Sequence, residues 1–171
     1  MPGTRKKSTK KRSSRSSHSR GLAPGLVQAK TEGENLVATM STKAGKLPVY
    51  YPAVRTDDGY ANMSSNPYLY TIRDRAGYAY KAYRIVGYAG LSGQYWGVQG
   101  MSWRSPPILD DPSDKRRMAG RTYYEYYDGT RLRLIAWKTK NGSYWISNTL
   151  SRTLTNDQMR DIAKSLTRVG T

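Results

Sequence analysis

The sequence predicts an α+β domain, in which a curved antiparallel sheet of about five or more strands carries a C-terminal amphipathic helix on one face. Runs rich in Tyr, Ile and Val alternate with tight turn signals, which favours hairpins and a meander. The final segment places apolar residues at the period of a helix. With 171 residues and no cysteine, the chain has room for one core, held by packing instead of disulfides.

Two hairpins define the predicted sheet. The first joins residues 68–73 and 78–86 across the tight sequence DRAG. The second joins residues 121–127 and 130–138 across Asp128-Gly129, a dipeptide that accepts positive φ in a short turn. Both hairpins are local in sequence, so the sheet does not depend on assumed long-range pairing.

The second strand of the later hairpin shows alternation. Leu132, Leu134 and Ala136 alternate with Arg131 and Arg133. Because successive side chains of a strand point to opposite faces, this pattern predicts one apolar face and one face in water.

The chain then completes a meander and becomes helical. A turn at KNGS leads into a third strand at residues 144–148. Thr155, followed three residues later by Gln158, has the form of a capping box, and Gly170 is placed to end the helix. The predicted apolar stripe of this helix consists of Met159, Ile162, Ala163 and Leu166.

The first 20 residues form a basic segment without an apolar period. They hold eight of the 29 Lys and Arg residues and none of the 12 acidic ones, which leaves +9 of the total charge of +17 for the rest. Such a segment cannot offset the entropy of ordering, so we predict a disordered tail. It can bind nucleic acid or an anionic membrane surface, or serve solubility alone. Its basic residues are Arg5, Lys6, Lys7, Lys10, Lys11, Arg12, Arg15 and Arg20.

The predicted boundaries follow composition. Residues 21–46 are mixed and weakly apolar, and we assign them to a linker with a short helix or strand near residues 34–40. All 15 Tyr and all four Trp residues lie between Tyr50 and Trp145. We therefore assign the folded α+β domain to residues 47–171.

Targeting signals are not evident. The sequence GLAPGLVQAKTEGENLV, which follows the tail, is interrupted by Gly, Pro, Gln and Lys, whereas a secretory signal needs about 7–15 apolar residues. No window approaches the roughly 18 apolar residues of a transmembrane helix. The residues themselves leave localisation open.

Residues for acid–base and metal chemistry are scarce. The single histidine, His18, lies in the tail, which excludes a histidine-based triad or metal cluster. Asp110, Asp111 and Asp114 lack the spacing of a calcium loop and precede three basic residues, so we interpret them as a solvated turn. We predict no catalytic residue, metal or cofactor.

A Gly-rich segment at residues 87–100 leads into a group of aromatic residues. No Lys-Ser or Lys-Thr pair and no βαβ pattern accompanies it, so a nucleotide loop is not indicated. Tyr95, Trp96 and Trp103, with Arg104 beside them, form either a ligand platform or a corner of the core. We take these four residues as candidate ligand contacts.

The aromatic composition has two further interpretations. The chain has no Phe, which favours rings that keep one end in water. Such rings beside arginine stack on sugars or on nucleobases, and composition does not separate the two. Arg121, Arg131 and Arg133 are candidates for holding phosphate or carboxylate, although such a stripe is also typical of a solvated face.

Several motifs occur in a fixed order: LPVYYPAVR, YTIRDRAGYAYKAYRIV, GQYWGVQGMSW, PPIL, GRTYYEYYDGTRLRLIAWKT, YWISNTL and TNDQM. They resemble the C-terminal extension of actinobacterial members of the LytR-CpsA-Psr family, which attach glycopolymers to the cell wall. The catalytic domain of that family, which holds a polyprenyl pyrophosphate and Mg²⁺, resembles no part of this chain. The resemblance implies the cell envelope, whereas the lack of an export signal implies the cytoplasm.

Three functional hypotheses follow. The first is a non-catalytic accessory or binding module that contacts cell-wall glycopolymer or an envelope protein. The second is a nucleic-acid-binding protein that uses the basic tail. The third is a fragment, without independent activity, of a longer membrane-anchored protein.

Overall fold

The computed structural model describes residues 21–62, 65–90 and 93–170. The basic tail predicted for residues 1–20 lies outside them. The described chain contains two helices, a 3-10 turn at Pro107–Leu109 and eleven strands. The helices and strands are, in chain order, β1 (Leu26–Gln28), α1 (Lys30–Lys43), β2 (Tyr50–Pro52), β3 (Val54–Thr56), β4 (Tyr68–Arg73), β5 (Ala79–Tyr88), β6 (Tyr95–Met101), β7 (Asp114–Met118), β8 (Arg121–Asp128), β9 (Arg131–Thr139), β10 (Gly142–Ser147), α2 (Asn156–Ser165) and β11 (Leu166–Arg168).

Seven strands form one antiparallel sheet in the order β4-β5-β6-β10-β9-β8-β7. Its two halves are joined by the pairing of β6 with β10, which brings together segments about forty residues apart in the chain. Two small ribbons, β1 with β3 and β2 with β11, complete the strands. The predicted α+β class, with an antiparallel sheet and a C-terminal helix, is confirmed.

Both predicted hairpins and the meander are present. β4 pairs with β5, and β8, β9 and β10 are consecutive neighbours. In the second hairpin Asp128 pairs with Arg131, so the turn consists of Gly129 and Thr130, one position later than predicted. The φ of Gly129 is 56°, which is the conformation that requires glycine there.

The large sheet has two faces with different surroundings. Both helices pack on one face, which we call the covered face, and their residues share a single buried cluster with it. The sheet residues of this cluster are Tyr83, Ile85, Trp96, Val98, Tyr123, Leu132, Ile135, Trp137, Tyr144 and Ile146. The opposite face, which we call the open face, carries a smaller cluster of Ala82, Met101, Leu109, Tyr126, Leu134, Ala136 and Trp145.

The linker assignment for residues 21–46 is wrong, because these residues form β1 and α1 and pack into the core. The folded unit therefore begins before residue 47. α1 and its C-cap residue Ala44 bury the stripe Gly33, Val37, Met40 and Ala44. A Cβ at Gly33 would lie 2.8 Å from the carbonyl oxygen of Pro52, so glycine allows the helix to approach β2 closely. Small residues make up half of this stripe, so its apolar signal is weak.

α2 begins as predicted and ends earlier. Thr155 Oγ1 accepts a hydrogen bond from the backbone N–H of Gln158 at 3.1 Å, and Gln158 Oε1 accepts one from the N–H of Thr155 at 2.8 Å. This is the predicted capping box. The predicted stripe is buried, but the helix ends at Ser165 and not near Gly170, because the following residues form β11 and pair with β2.

A β-bulge interrupts the alternation predicted for β9. Tyr127 of β8 pairs with Leu132, but Tyr126 pairs with Leu134, which leaves Arg133 as an extra residue. Leu132 therefore packs on the covered face and Leu134 on the open face. The prediction that Leu132, Leu134 and Ala136 share one apolar face is wrong, and β9 is apolar on both sides.

Candidate ligand-binding cleft

The strand register brings polar and aromatic residues together on the open face. Trp145 of β10 pairs with Gln99 of β6. In the adjacent row, Tyr70 of β4 and Met101 of β6 both pair with Ala82 of β5. Paired residues of an antiparallel sheet project from the same face, so these side chains are neighbours.

A cleft of about 400 Å³ lies over these residues. One wall is the β4–β5 turn at residues 73–75, and the other is the segment of residues 103–108 that follows β6. Ile72 and Ile108 line the cleft and are 37% and 48% exposed, so its rim presents apolar surface to solvent. The floor of the cleft consists of Tyr70, Gln99, Met101 and Trp145.

Gln99 connects the two aromatic residues of the floor. Its Oε1 accepts a hydrogen bond from Trp145 Nε1 at 3.1 Å, and its Nε2 donates one to the hydroxyl oxygen of Tyr70 at 2.8 Å. The hydroxyl hydrogen of Tyr70 is then available to a ligand. Burial raises the pKa of Tyr70, so this hydroxyl is neutral at physiological pH.

The turn wall is fixed by Asp74. Its Oδ1 accepts hydrogen bonds from the backbone N–H groups of Ala76 and Tyr78, both at 2.9 Å, and its Oδ2 accepts one from the hydroxyl of Tyr80 at 3.1 Å. The Tyr80 ring stacks on Trp103, with ring centroids 4.7 Å apart and planes 15° apart. The turn therefore holds Trp103 in place through Tyr80. The Asp74 carboxylate already accepts three hydrogen bonds within this turn and strand.

The second wall is anchored at both ends. Ser143 Oγ donates a hydrogen bond to the carbonyl oxygen of Trp103 at 2.7 Å, and the Tyr126 hydroxyl donates one to that of Leu109 at 2.8 Å. Burial raises the pKa of Tyr126 to about 12, so it remains a donor. Two prolines between these anchors fix the backbone φ. The cleft is therefore preformed.

The lining residues have the composition of a ligand-binding site. Aromatic rings with one amide and one hydroxyl match the usual composition of ligand sites, which are mostly apolar with a few placed polar groups. Asp74 is the only carboxylate that lines this cleft, whereas hydrolysis of a glycosidic bond normally needs two. Among the described residues, no group of three His, Cys, Asp or Glu is placed to hold a metal ion, and Asp110, Asp111 and Asp114 form none.

The fold divides the predicted aromatic platform. Trp103 lines the cleft, so it stays a candidate ligand contact. Trp96 is fully buried on the covered face, where its Nε1 donates to the carbonyl oxygen of Tyr88 at 2.9 Å and lies 3.1 Å from Thr56 Oγ1. It belongs to the core, against its assignment as a ligand-binding residue. Tyr95 is 39% exposed and packs against Tyr88 outside the cleft.

The predicted arginines do not converge on this cleft. Arg104 follows Trp103 in the chain and is exposed, but it does not line the cleft. Arg131 is exposed next to the β8–β9 turn, and Arg133 occupies the bulge with its guanidinium 5.9 Å from the Tyr126 ring. Arg131 therefore lies in solvent, whereas Arg133 is half-buried beside Tyr126.

Arg121 has a different environment. Its guanidinium carbon lies 5.3 Å from the ring centroids of both Tyr50 and Trp137. One of its terminal nitrogens donates to the carbonyl oxygen of Leu166 at 2.9 Å. Arg121 therefore ties β8 to the β2–β11 ribbon, away from the cleft on the open face.

Sequence reasoning missed all four floor residues: Tyr70, Gln99, Met101 and Trp145. A signal existed for two of them. Tyr68, Tyr70 and Ile72 alternate along β4, and Gln99 is the one amide side chain in the segment YWGVQGM, able both to donate and to accept. These residues become neighbours only through the pairing register of β4, β5, β6 and β10, which cannot be read from the sequence.

No family model, curated protein or solved structure matches the chain. A functional assignment therefore depends on the cleft itself. Within the part of the chain that the structure describes, neither helix is long and apolar enough to cross a membrane. The basic residues at positions 5–20, predicted for anionic partners, lie outside the described ranges.

Proposed function

We propose that the chain is a non-catalytic binding module that holds a segment of a glycan, such as a cell-wall glycopolymer, in the open-face cleft. One observation carries the proposal. The Trp103 ring, stacked on Tyr80, shares a preformed cleft with the hydrogen-bonded network of Gln99, Tyr70 and Trp145.

The chemistry of a sugar fits these groups. A sugar ring has an apolar C–H face, which packs on an aromatic ring, and a rim of hydroxyls, which pair with an amide or a tyrosine hydroxyl. The volume of about 400 Å³ lies within the range of small-molecule sites, roughly 300–1,000 Å³. The exposed Ile72 and Ile108 extend the apolar surface beyond the floor, as binding of a longer chain requires.

The resemblance to the C-terminal extension of LytR-CpsA-Psr proteins supports the same proposal. An extension of that kind would contact the polymer that a separate catalytic domain transfers. Two of the motifs that carry the resemblance, GQYWGVQGMSW and PPIL, contain Gln99, Trp103 and the proline wall of the cleft. Under this proposal the chain acts in the cell envelope, with wall polymer or an envelope protein as its partner.

Cosedimentation of the full chain with purified cell-wall sacculi tests the proposal. The background is a chain whose eight basic tail residues are replaced by Gln, so that charge on residues 1–20 does not pellet it. Trp103→Ala removes the stacked ring of the cleft, and Tyr95→Ala removes an exposed aromatic ring outside it. We expect Trp103→Ala to weaken binding about tenfold, which corresponds to about 1.4 kcal/mol, and Tyr95→Ala to leave it unchanged.

The outcomes separate the hypotheses. Equal affinity of the two variants, at unchanged melting temperature, contradicts the cleft as the glycan site. If replacement of the tail charges abolishes pelleting with sacculi and also binding to duplex DNA, the nucleic-acid hypothesis is favoured instead. Trp96 is left intact because it lies in the core, where its replacement would test folding and not binding.

A further inference from the structure

A second cleft, of about 340 Å³, opens between β8 and β9. The pairing of these strands begins at Tyr124 and Ala136, whereas β8 starts at Arg121 and β9 runs on to Thr139. The cleft is lined by these strand ends and by Tyr124, together with Tyr50 of β2, Arg117 of β7 and Gly120 of the β7–β8 turn. The strands therefore separate at this end of the sheet and leave space between them.

Cations dominate the lining of this cleft. It contains Arg117, Arg121 and Lys138 and no acidic residue. None of the three makes an ion pair with the described chain, although other cations of the fold do. The paired cations are Arg55, Arg116, Arg152, Arg160 and Lys164. Three unpaired positive charges around one cleft create a local potential that attracts an anion.

Arg121 is already ordered for binding. Its guanidinium lies against the rings of Tyr50 and Trp137, and its hydrogen bond to Leu166 sets its orientation. Weakly hydrated guanidinium groups stacked on aromatic rings retain free N–H donors in a fixed plane. Binding through such a group costs little side-chain entropy.

Lys138 is also held in position. Its Nζ lies 5.8 Å from the ring centroid of Tyr124 and 3.4 Å from Ser105 Oγ. Lys115 approaches the same ring, at 5.6 Å, and adds a further charge nearby. Two lysines therefore lie beside Tyr124, whereas Arg121 lies beside Tyr50 and Trp137 on the other side of the same cleft.

We propose that this second cleft binds an oxyanion, a phosphoryl or carboxylate group, through Arg117, Arg121 and Lys138. Thr122 also lines the cleft and supplies a hydroxyl donor, whereas the hydroxyl of Thr139 already donates to the carbonyl oxygen of Gly142. Charge-assisted hydrogen bonds from arginine and lysine are the strong form of such contacts. This site goes beyond the proposed glycan cleft and does not depend on it, because charge and not ring stacking provides the affinity.

NMR titration of the full chain with inorganic phosphate, dimethyl phosphate and acetate, at constant ionic strength in chloride, tests the proposal. The readouts are the indole N–H of Trp137 and the Nε–H of Arg121, which report on this cleft even if the basic tail binds anions. We expect saturable shifts of both signals. Arg117→Gln with Lys138→Gln should weaken the binding about tenfold or more.

A matched double variant controls for net charge. Lys30→Gln with Lys43→Gln removes two positive charges from exposed positions of α1 that do not line this cleft, and it should leave the affinity unchanged. Tighter binding of the phosphates assigns a phosphoryl ligand, and tighter binding of acetate assigns a carboxylate. The absence of saturable shifts, or equal weakening by both double variants, overturns the proposal.

Discussion

Glu125 of β8 is a fully buried carboxylate, and its neutralisation gives a quantitative test of the packing between α2 and the sheet. Its Oε1 accepts a hydrogen bond from Arg160 Nε at 2.8 Å. Its Oε2 accepts bonds from Arg160 Nη2 at 3.0 Å and from the Tyr127 hydroxyl at 2.7 Å. Arg116 Nε lies 3.2 Å from Oε1. The network joins β7, β8 and α2.

The substitution Glu125→Gln keeps the shape of the side chain and removes its charge. The amide nitrogen then faces donors instead of accepting from them. The remaining bonds from Arg160 have a neutral acceptor, so they lose part of the roughly 1.5–3 kcal/mol of a charged pair. Breaking a buried ion pair costs about 3–5 kcal/mol, but the Arg160 side chain is 19% exposed, so water relieves part of this cost. We expect the free energy of unfolding to fall by about 2–3 kcal/mol.

The loss should depend on pH. Burial by itself raises the pKa of Glu125, but hydrogen bonds from Arg160 and Tyr127 and the arginine charges outweigh it, so the pKa lies below the ordinary value of 4.5. A group whose pKa is lower in the folded state stabilises the fold above its unfolded pKa, and this contribution is lost as the pH falls through the folded pKa. The difference between the two proteins is therefore largest at neutral pH and shrinks in acid.

Urea unfolding of both proteins, at neutral pH and at about pH 3, measures this difference. Asp128→Asn is the control, because the Asp128 side chain is 63% exposed and its pair with Arg152 should contribute about 0–1 kcal/mol. A loss for Glu125→Gln below about 0.5 kcal/mol, or a loss of equal size at both pH values, would refute the reasoning.

Two further substitutions test the core by thermal and urea unfolding. Gly100→Ala should lower the free energy of unfolding by about 1–3 kcal/mol, because the added Cβ would overlap the rings of Tyr83 and Tyr144. Gly21→Ala is the control and should be neutral, because a Cβ at Gly21 would meet nothing within 4 Å. Met40→Ala, at a position only 6% exposed, should cost about 2–5 kcal/mol, against less than about 0.5 kcal/mol for the exposed Lys43→Ala on the same helix. A negligible cost at Met40 would restore the linker interpretation of residues 21–46.

The elements that could be predicted are those with complete local signals. The DRAG hairpin needs only its own residues, and the capping box of Thr155 and Gln158 places the start of α2 within the sequence itself. α1 lacks such a signal. It has no side-chain cap at Ala29, and its buried stripe includes Gly33, so neither capping nor hydrophobic period marks it.

The candidate cleft could be predicted only in part, because its floor is assembled by register. Tyr95 and Trp96 are consecutive and must point to opposite faces of β6. Which of them reaches solvent depends on which face the two helices cover, and that is decided by packing elsewhere in the chain. Trp103 lies after the strand, where the loop carries it over the open face.

The tyrosine content has a different meaning from the one expected. The sequence predicted tyrosine rings whose hydroxyl groups contact water. Instead, Tyr83, Tyr123 and Tyr126 are buried, and their hydroxyl groups donate hydrogen bonds to backbone carbonyl oxygens. Through these bonds the sheet holds β2, α2 and the second wall of the cleft, tasks that phenylalanine cannot perform because it has no donor. Tyr70 differs, since its hydroxyl pairs with the side chain of Gln99 in the cleft floor. The position and the partner of each hydroxyl therefore separate these three tyrosines, which support the fold, from Tyr70, which lies in the cleft floor.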